Sequence, residues 1–493
     1  MRDIGLAVRS GYRQHADATR VISRLFIPGQ EIVGGGVART TNTVERVLAL
    51  SEAEVDEAVD ELFERFAKRH HDLWAIFERH AERVSDHLSD HTPLSPHRRQ
   101  LLGAAFTHEY SIEGAAVCNP SLVPHPDQSH LNDGDLRVVL SYRCISEGHH
   151  SSIGFRTGIV NGAGTLTMDE PAPFPVVASI AFNNLDRDLM RAKLRDLGND
   201  DELTASVQSS LGPEFSTVDL EMALAKLAAL SGTRIHATET ATALRYVASC
   251  FYEASFDSSI EFSRRVLWPT IPAENHGMED ARFVWFEDGE ESRYLASYTA
   301  FDGRDVTQQL LETADFERFT SSPLAGVAAR NKGLAIFPRR IDGRFAALSR
   351  HDRETNAISL SDDLHVWNEV SQTQLPFQPW EIIQLGNCGS PIELPEGWLV
   401  ITHGVGPMRT YGISALLLDL NDPTIVLGQL PKPLLLPSFD EQDGYVPNVV
   451  YSCGSLIHGG TLVLPYGIAD GALSFASVDV AQLLGAFEEV ERT

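Results

Sequence analysis

Two adjacent carboxylates, Glu279 and Asp280, stand with Arg282 at the opening of an apolar run in GMEDARFVWF, residues 277–286. Side chains alternate faces along a strand, so one acid should face one way and its neighbour the other. One of the two would face a funnel on which the strand starts converge. Its neighbour would pack or pair sideways, with Arg282 the nearest cation. The plain alternative is an ion pair that only fixes the start of the strand. The company further along favours chemistry: Arg330, Asn331, Arg350 and His403 occupy matching places in later β-rich segments. Two guanidinium groups, an amide and an imidazole gathered against one carboxyl make an anion site beside an acid. Arginine's planar fork suits phosphate.

Those matching places are defined by a repeat. Five strands end in a polar or aromatic residue: LRVVLSYR (136–143), SRYLASYTAFDG (292–303), RFAALSRHD (344–352), GWLVITHGVG (397–406) and GTLVLPYGIAD (460–470). Each follows another strand with a polar opening, at CNPSLV (118–123), EDARFVWF (279–286), RNKGLAIF (330–337), NCGSPIEL (387–394) and PNVVYSCG (447–454). The markers Tyr298, Arg350, His403 and Tyr466 recur at intervals of about 50 to 60 residues, near the length of a propeller blade. A sandwich or barrel also uses short strands. Polar residues at both ends of five hairpins favour an all-β core folded as a five-bladed β-propeller, with the polar ends meeting around one funnel. The interval from Tyr142 to Tyr298 is roughly a hundred residues too long for one blade. A helical insertion at about 184–247 accounts for part of it, carrying DRDLMRAKLRDL and TVDLEMALAKLAAL.

The domain plan is a helical extension over 1–110 and a propeller over 111–487. In the extension, Ser51 and Glu54 form a capping box ahead of Val55, Val59, Leu62 and Phe66 at helical spacing. A second helix is predicted near 95–108. His70 and His71 are predicted to lie on a helix surface rather than to bind a ligand.

The chain has 493 residues, of which 43% are apolar and 22% charged, enough for a large core. Acidic residues number 68 against 40 basic, a formal charge of −28. That balance repels phosphate backbones and anionic lipid, so neither nucleic acid nor membrane is an expected partner. The opening MRDIGLAVRSGYRQ lacks a signal-peptide core. No apolar run reaches the ~18 residues of a membrane span. Five scattered cysteines without C-x-x-C spacing fit reduced thiols, and the expected location is the cytoplasm. No metal or organic cofactor is expected.

GMEDARFVWF resembles the G-x-E-D-P-R motif of glycoside hydrolase family 130, the β-mannoside phosphorylases and β-mannosidases. YTAFDG, RNKGLAIFPRRIDGRFAALSR, GSPIELPEGWLVITHGV and GYVPNVVYSCG resemble that family's later motifs, in order, over roughly residues 112 to 485. The family fold is a five-bladed propeller. The resemblance implies inverting phosphorolysis of β-mannosides, with inorganic phosphate as co-substrate and α-mannose 1-phosphate as product. It implies Asp280 as the single catalytic acid, with a pKa raised by burial or a carboxylate neighbour. It implies a phosphate site from Arg330, Asn331, Arg350 and His403, with Gln384 where the family's phosphorylases carry a lysine. Asn119, Glu279, Arg282, Tyr298, Asp302 and Tyr411 are the implied sugar-side residues. Ala281 replaces the motif's proline. The helical extension resembles that of longer members, where such helices mediate oligomer contacts.

Other readings stay open here. A β-mannosidase would use water activated by a second carboxylate, with Glu393 or Asp443 as the base. A sugar-binding propeller without catalysis is the third. Asp302–Gly303 is equally a turn signal, Asn119 equally a turn former, and His149–His150 equally a funnel lining or a hydrated loop.

Overall fold

Five antiparallel sheets follow the five sequence hairpins in a computed structural model that describes residues 2–27, 32–33, 37–85, 93–230, 234–289 and 292–488. The first contains Ala116–Pro124, Leu136–Ile145 and Ser151–Val160. The second contains Gly277–Phe286, Arg293–Phe301, Val306–Thr313 and Arg318–Pro323. The third is built from Ala335–Ile336, Phe345–Ser349, Asn356–Ser361 and Ser371–Gln374. The fourth is built from Gln384–Asn387, Gly397–Val405, Tyr411–Leu418 and Val426–Gln429. The fifth contains Val450–Tyr451, Thr461–Ile468 and Ala472–Asp479, and takes its outer strand from Val8–Arg9. The first two sheets are hydrogen-bonded to each other where Gly277 meets Ser151 in parallel.

The strands are apolar on both faces because each sheet is covered twice. Val138 and Leu140 pack with Val463 and Phe475 of the fifth sheet, while Val139 between them packs with Phe283 and Tyr294 of the second. Phe286 and Leu310 of the second meet Ile336 and Phe345 of the third. Phe337 and Leu348 of the third meet Trp398 and Leu416 of the fourth. Ile401 and Ala415 of the fourth meet Val450 and Leu464 of the fifth. The five apolar clusters thus join each sheet to the next and the last to the first. Each large side chain fully buried there contributes roughly 1.5–3 kcal/mol.

The long first interval now has an account. Helices Arg187–Asp196, Glu202–Ser209, Thr217–Leu230 and Arg234–Ser249 gather around Met190, Leu194, Leu220 and Leu244. Asp186 and Asp201 cap the first two, each accepting from a backbone N–H three residues on at 2.8 Å. The remainder is turns and short strands, among them Tyr252–Ser255, which pairs with Arg318–Pro323 on one side and with Ser179–Phe182 on the other.

A second unit comprises Asp17–Gly114 with Pro173–Val176. Its helices Arg39–Ala49, Glu52–Phe66, Leu73–Arg83 and Pro96–Ala105 accompany a two-strand pairing of Val21–Leu25 with Thr107–Ser111. The capping box is formed at Ser51 and Glu54. Residues 2–16, expected with the helices, instead belong to the sheet unit. His70, expected at the surface, is buried, and its Nε2 lies 2.8 Å from Glu109. Among the described residues no helix is long and apolar enough to cross a membrane.

Candidate active site

Asp280 reaches its place through a β-bulge. The pairing of Gly277–Phe286 with its neighbour slips between Glu279 and Arg282, and Asp280 adopts φ 55°. An extra residue in a strand re-aims the side chains beside it, so simple alternation does not hold there. The first sheet repeats the device: pairing slips between Cys118 and Ser121, and Asn119 has φ 52°. Asn and Asp tolerate this left-handed conformation better than most residues. The Asn119 amide donates to the Asp280 carboxylate.

Both residues line a cavity of about 440 Å³. Arg143, Asn331, Lys332, Arg350, Gln384, His403, Arg409, Tyr411, Tyr451 and Asp470 also line it. Of the predicted phosphate residues, the structure therefore brings together Asn331, Arg350, His403 and Gln384. Arg330 is exposed and outside the lining, and Lys332 is the cation its segment contributes. Asn331 has φ 64°; its side-chain oxygen accepts from Arg353 Nε at 2.8 Å and its amide donates to the His351 carbonyl.

Arg350 and His403 approach each other across Gly386. A Cβ at residue 386 would lie 2.3 Å from Arg350 Cδ and Nε and 2.6 Å from His403 Cε1. Only glycine leaves room for both. His403 Nδ1 lies 3.1 Å from the Asn387 main-chain oxygen, and its buried Nε2 has no partner among the described residues. Burial, with the Arg350 and Arg282 charges, holds this imidazole well below its ordinary pKa, so it is neutral. The Tyr411 ring stacks beside it, with centroids 6.0 Å apart.

The acids are held differently from the sequence expectation. Glu279 pairs with Arg143 at 2.7 Å and with Lys332, not with Arg282. Arg282 is buried and donates to the Asp280 main-chain oxygen at 3.0 Å, Asn387 Oδ1 at 3.2 Å and Tyr451 hydroxyl at 2.8 Å. Burial pushes the Asp280 carboxyl up, but Lys332, Arg282, Arg143 and the Asn119 amide outweigh it. The net direction is down. The expected rise fails because the residue sits among three cations.

Two sugar-side candidates lie elsewhere. The Tyr298 hydroxyl donates to Glu274 at 2.5 Å in a fully buried pocket, outside the cavity lining. Asp302 accepts the backbone N–H groups of Arg304 and Asp305 at 2.8 and 2.7 Å, the turn its Asp-Gly sequence also allowed. His149 bonds the Tyr445 hydroxyl. Arg143, Lys332, Arg409, Tyr451 and Asp470 were missed, although Arg143 and Asp470 end two of the repeated strands. Asp470 is pushed up to about 6: burial raises it, Arg143 and Arg409 oppose, and Asp280 and Glu279 add.

A second cavity of about 310 Å³ is lined by the same five segments further along, among them Pro124, Trp285, Arg339, Glu393 and Leu456. Glu393 is paired there with Arg339 at 2.7 Å, and Asp443 is exposed outside both linings. Neither expected water-activating base faces Asp280.

A family model described as beta-1,4-mannooligosaccharide phosphorylase matches residues 252–489. A beta-1,2-mannobiose phosphorylase of Thermoanaerobacter sp. is 31% identical over 241 residues, covering 48% of this chain and 78% of that protein. One from Listeria innocua is 33% identical over 230 residues, covering 45% and 63%. The solved structure of a Listeria innocua beta-1,2-mannobiose phosphorylase with beta-1,2-mannobiose aligns at TM-score 0.44 and 23% identity, over 76% of this chain and 92% of that one.

Proposed function

The chain belongs to glycoside hydrolase family 130, and on that premise we propose that it cleaves β-mannosides with inorganic phosphate, inverting the anomeric centre. The products are α-mannose 1-phosphate and a shortened acceptor. The observation that carries this reading is the convergence of Arg350 and His403 across Gly386 in the cavity that holds Asp280. Phosphate sits against Arg350, His403 and Gln384, with Lys332 completing the cationic side. One phosphate oxygen bonds to the anomeric carbon as the glycosidic bond breaks, and the Asp280 proton goes to the departing oxygen. Phosphate is already a nucleophile, so one carboxyl group suffices.

An acid must carry a proton, and Asp280 is held low among its cations. A bound phosphate anion offsets those charges and lets the carboxyl group keep its proton. Co-substrate binding and acid activation are thereby one event. The ring of five apolar clusters, and five segments that each line both cavities, support a five-bladed propeller as the scaffold. Five free, buried cysteines support a reducing cytoplasm.

Hydrolysis is the second reading, favoured by Gln384 in place of a cation and by Asp470 as a second carboxyl group in the lining. The deciding experiment incubates the full chain with β-1,2- and β-1,4-linked mannobiose, with and without phosphate. Phosphate-dependent mannose 1-phosphate is the expected product. Free mannose at an undiminished rate without phosphate would replace the proposal with hydrolysis.

A further inference from the structure

We infer that the anion site reads a proton: it selects an oxyanion that carries an O–H, such as hydrogen phosphate, over an equally sized dianion that has none. This rests on the phosphate site proposed above and concerns which chemical form enters it.

Asn387 fixes the protonation of His403. The Asn387 main-chain oxygen can only accept, and at 3.1 Å it stands nearer to His403 Nδ1 than the weakly hydrogen-bonding Cys388 thiol at 3.8 Å. Nδ1 therefore carries the ring proton. The same asparagine is fixed by three further bonds: its Oδ1 accepts from Arg282 Nε at 3.2 Å and Gly389 N–H at 3.3 Å, and its Nδ2 donates to the Gly333 carbonyl at 2.7 Å. The carbonyl cannot turn away, so the tautomer is locked.

A second proton on the ring is opposed by burial and by Arg350 and Arg282. Nε2 is consequently a lone pair: fully buried, without a partner among the described residues, on a residue that lines the cavity. An anion seated against Arg350 presents an oxygen to that lone pair. Hydrogen phosphate donates its O–H there, while its other oxygens accept from the guanidinium. Sulfate at neutral pH has no proton to offer, and its oxygen would meet Nε2 lone pair to lone pair. Nε2 lacks a partner among the described residues before binding, so hydrogen phosphate gains a hydrogen bond there that sulfate cannot make, and sulfate adds a repulsion. The difference shows as affinity.

The test is calorimetric titration of the full chain at pH 7 with phosphate, arsenate and sulfate. Phosphate and arsenate, both protonated at that pH, should bind, and sulfate should bind at least about tenfold more weakly. In His403→Gln the amide offers both an N–H and an oxygen, and the phosphate-to-sulfate ratio should fall to within about threefold. Sulfate binding as tightly as phosphate to the unaltered protein overturns the inference while leaving phosphorolysis standing. An unchanged ratio in a folded His403→Gln variant also overturns it. If that variant does not fold, the ratio in the unaltered protein decides alone. Absence of phosphate binding removes both this inference and the phosphorylase reading.

Discussion

Asn119 and Asp280 share one backbone conformation in neighbouring sheets, φ 52° and 55°, and the first donates its amide to the carboxylate of the second. Two bulges, one in each sheet, therefore build the acid's seat. Asp280→Asn should lower turnover by about 10²- to 10⁴-fold, the usual worth of a positioned acid, with mannoside binding retained in calorimetry. Asn119→Ala removes one of the interactions holding the carboxyl low, so it should leave activity measurable but altered in its pH profile.

Lys332 is the largest single charge acting to depress Asp280. A depressed carboxyl loses its proton as pH rises through a low value, so the acid form is scarce in the free enzyme at neutral pH. Lys332→Gln raises that pKa, and the alkaline descent of kcat/KM should move to higher pH. A profile that stays in place would show that the acid is another group.

Gly386→Ala places a methyl group 2.3 Å from Arg350 and 2.6 Å from His403. Both side chains must retreat, and the KM for phosphate should rise at least about tenfold. The KM for mannoside should change far less. Steady-state kinetics with each substrate varied in turn separates the two.

Asp470 is pushed up to about 6 in the folded protein, against an ordinary carboxyl value of 3.8. Between those values the folded state binds more protons than the unfolded one, so stability falls as pH rises through that window. Asp470→Asn removes the penalty. It should raise stability by about 1–3 kcal/mol above pH ~6 and by nothing below pH ~4, read from denaturant unfolding at each pH.

The scaffold was legible because every sheet is covered on both faces. Runs such as VVL at 138–140 and LVI at 399–401 are continuous where a half-exposed strand would alternate. Spacing of polar strand ends then located Arg350 and His403, which the structure does bring together. What spacing could not supply was local backbone geometry. The bulge at Asp280 broke the two-residue alternation, so Glu279 found Arg143 and Lys332 rather than Arg282. Tyr298 ends a repeated strand as Arg350 does, yet its hydroxyl is consumed by Glu274, the last residue of the 3₁₀ turn Pro272–Glu274. Arg330 and Lys332 lie two apart across Asn331 at φ 64°, and that reversal decides which cation reaches inward.

Val8 and Arg9 pair with Ser477 and Ala476 to complete the last sheet. On the ribosome Val8 and Arg9 emerge long before Ser477 and Ala476 and must wait for them unsatisfied. Removal of Val8 and Arg9 would unpair Ala476 and Ser477 while Gln14–His15 still covers Ala472 and Leu473, leaving a short open stretch that invites a neighbouring molecule to lend the missing ribbon.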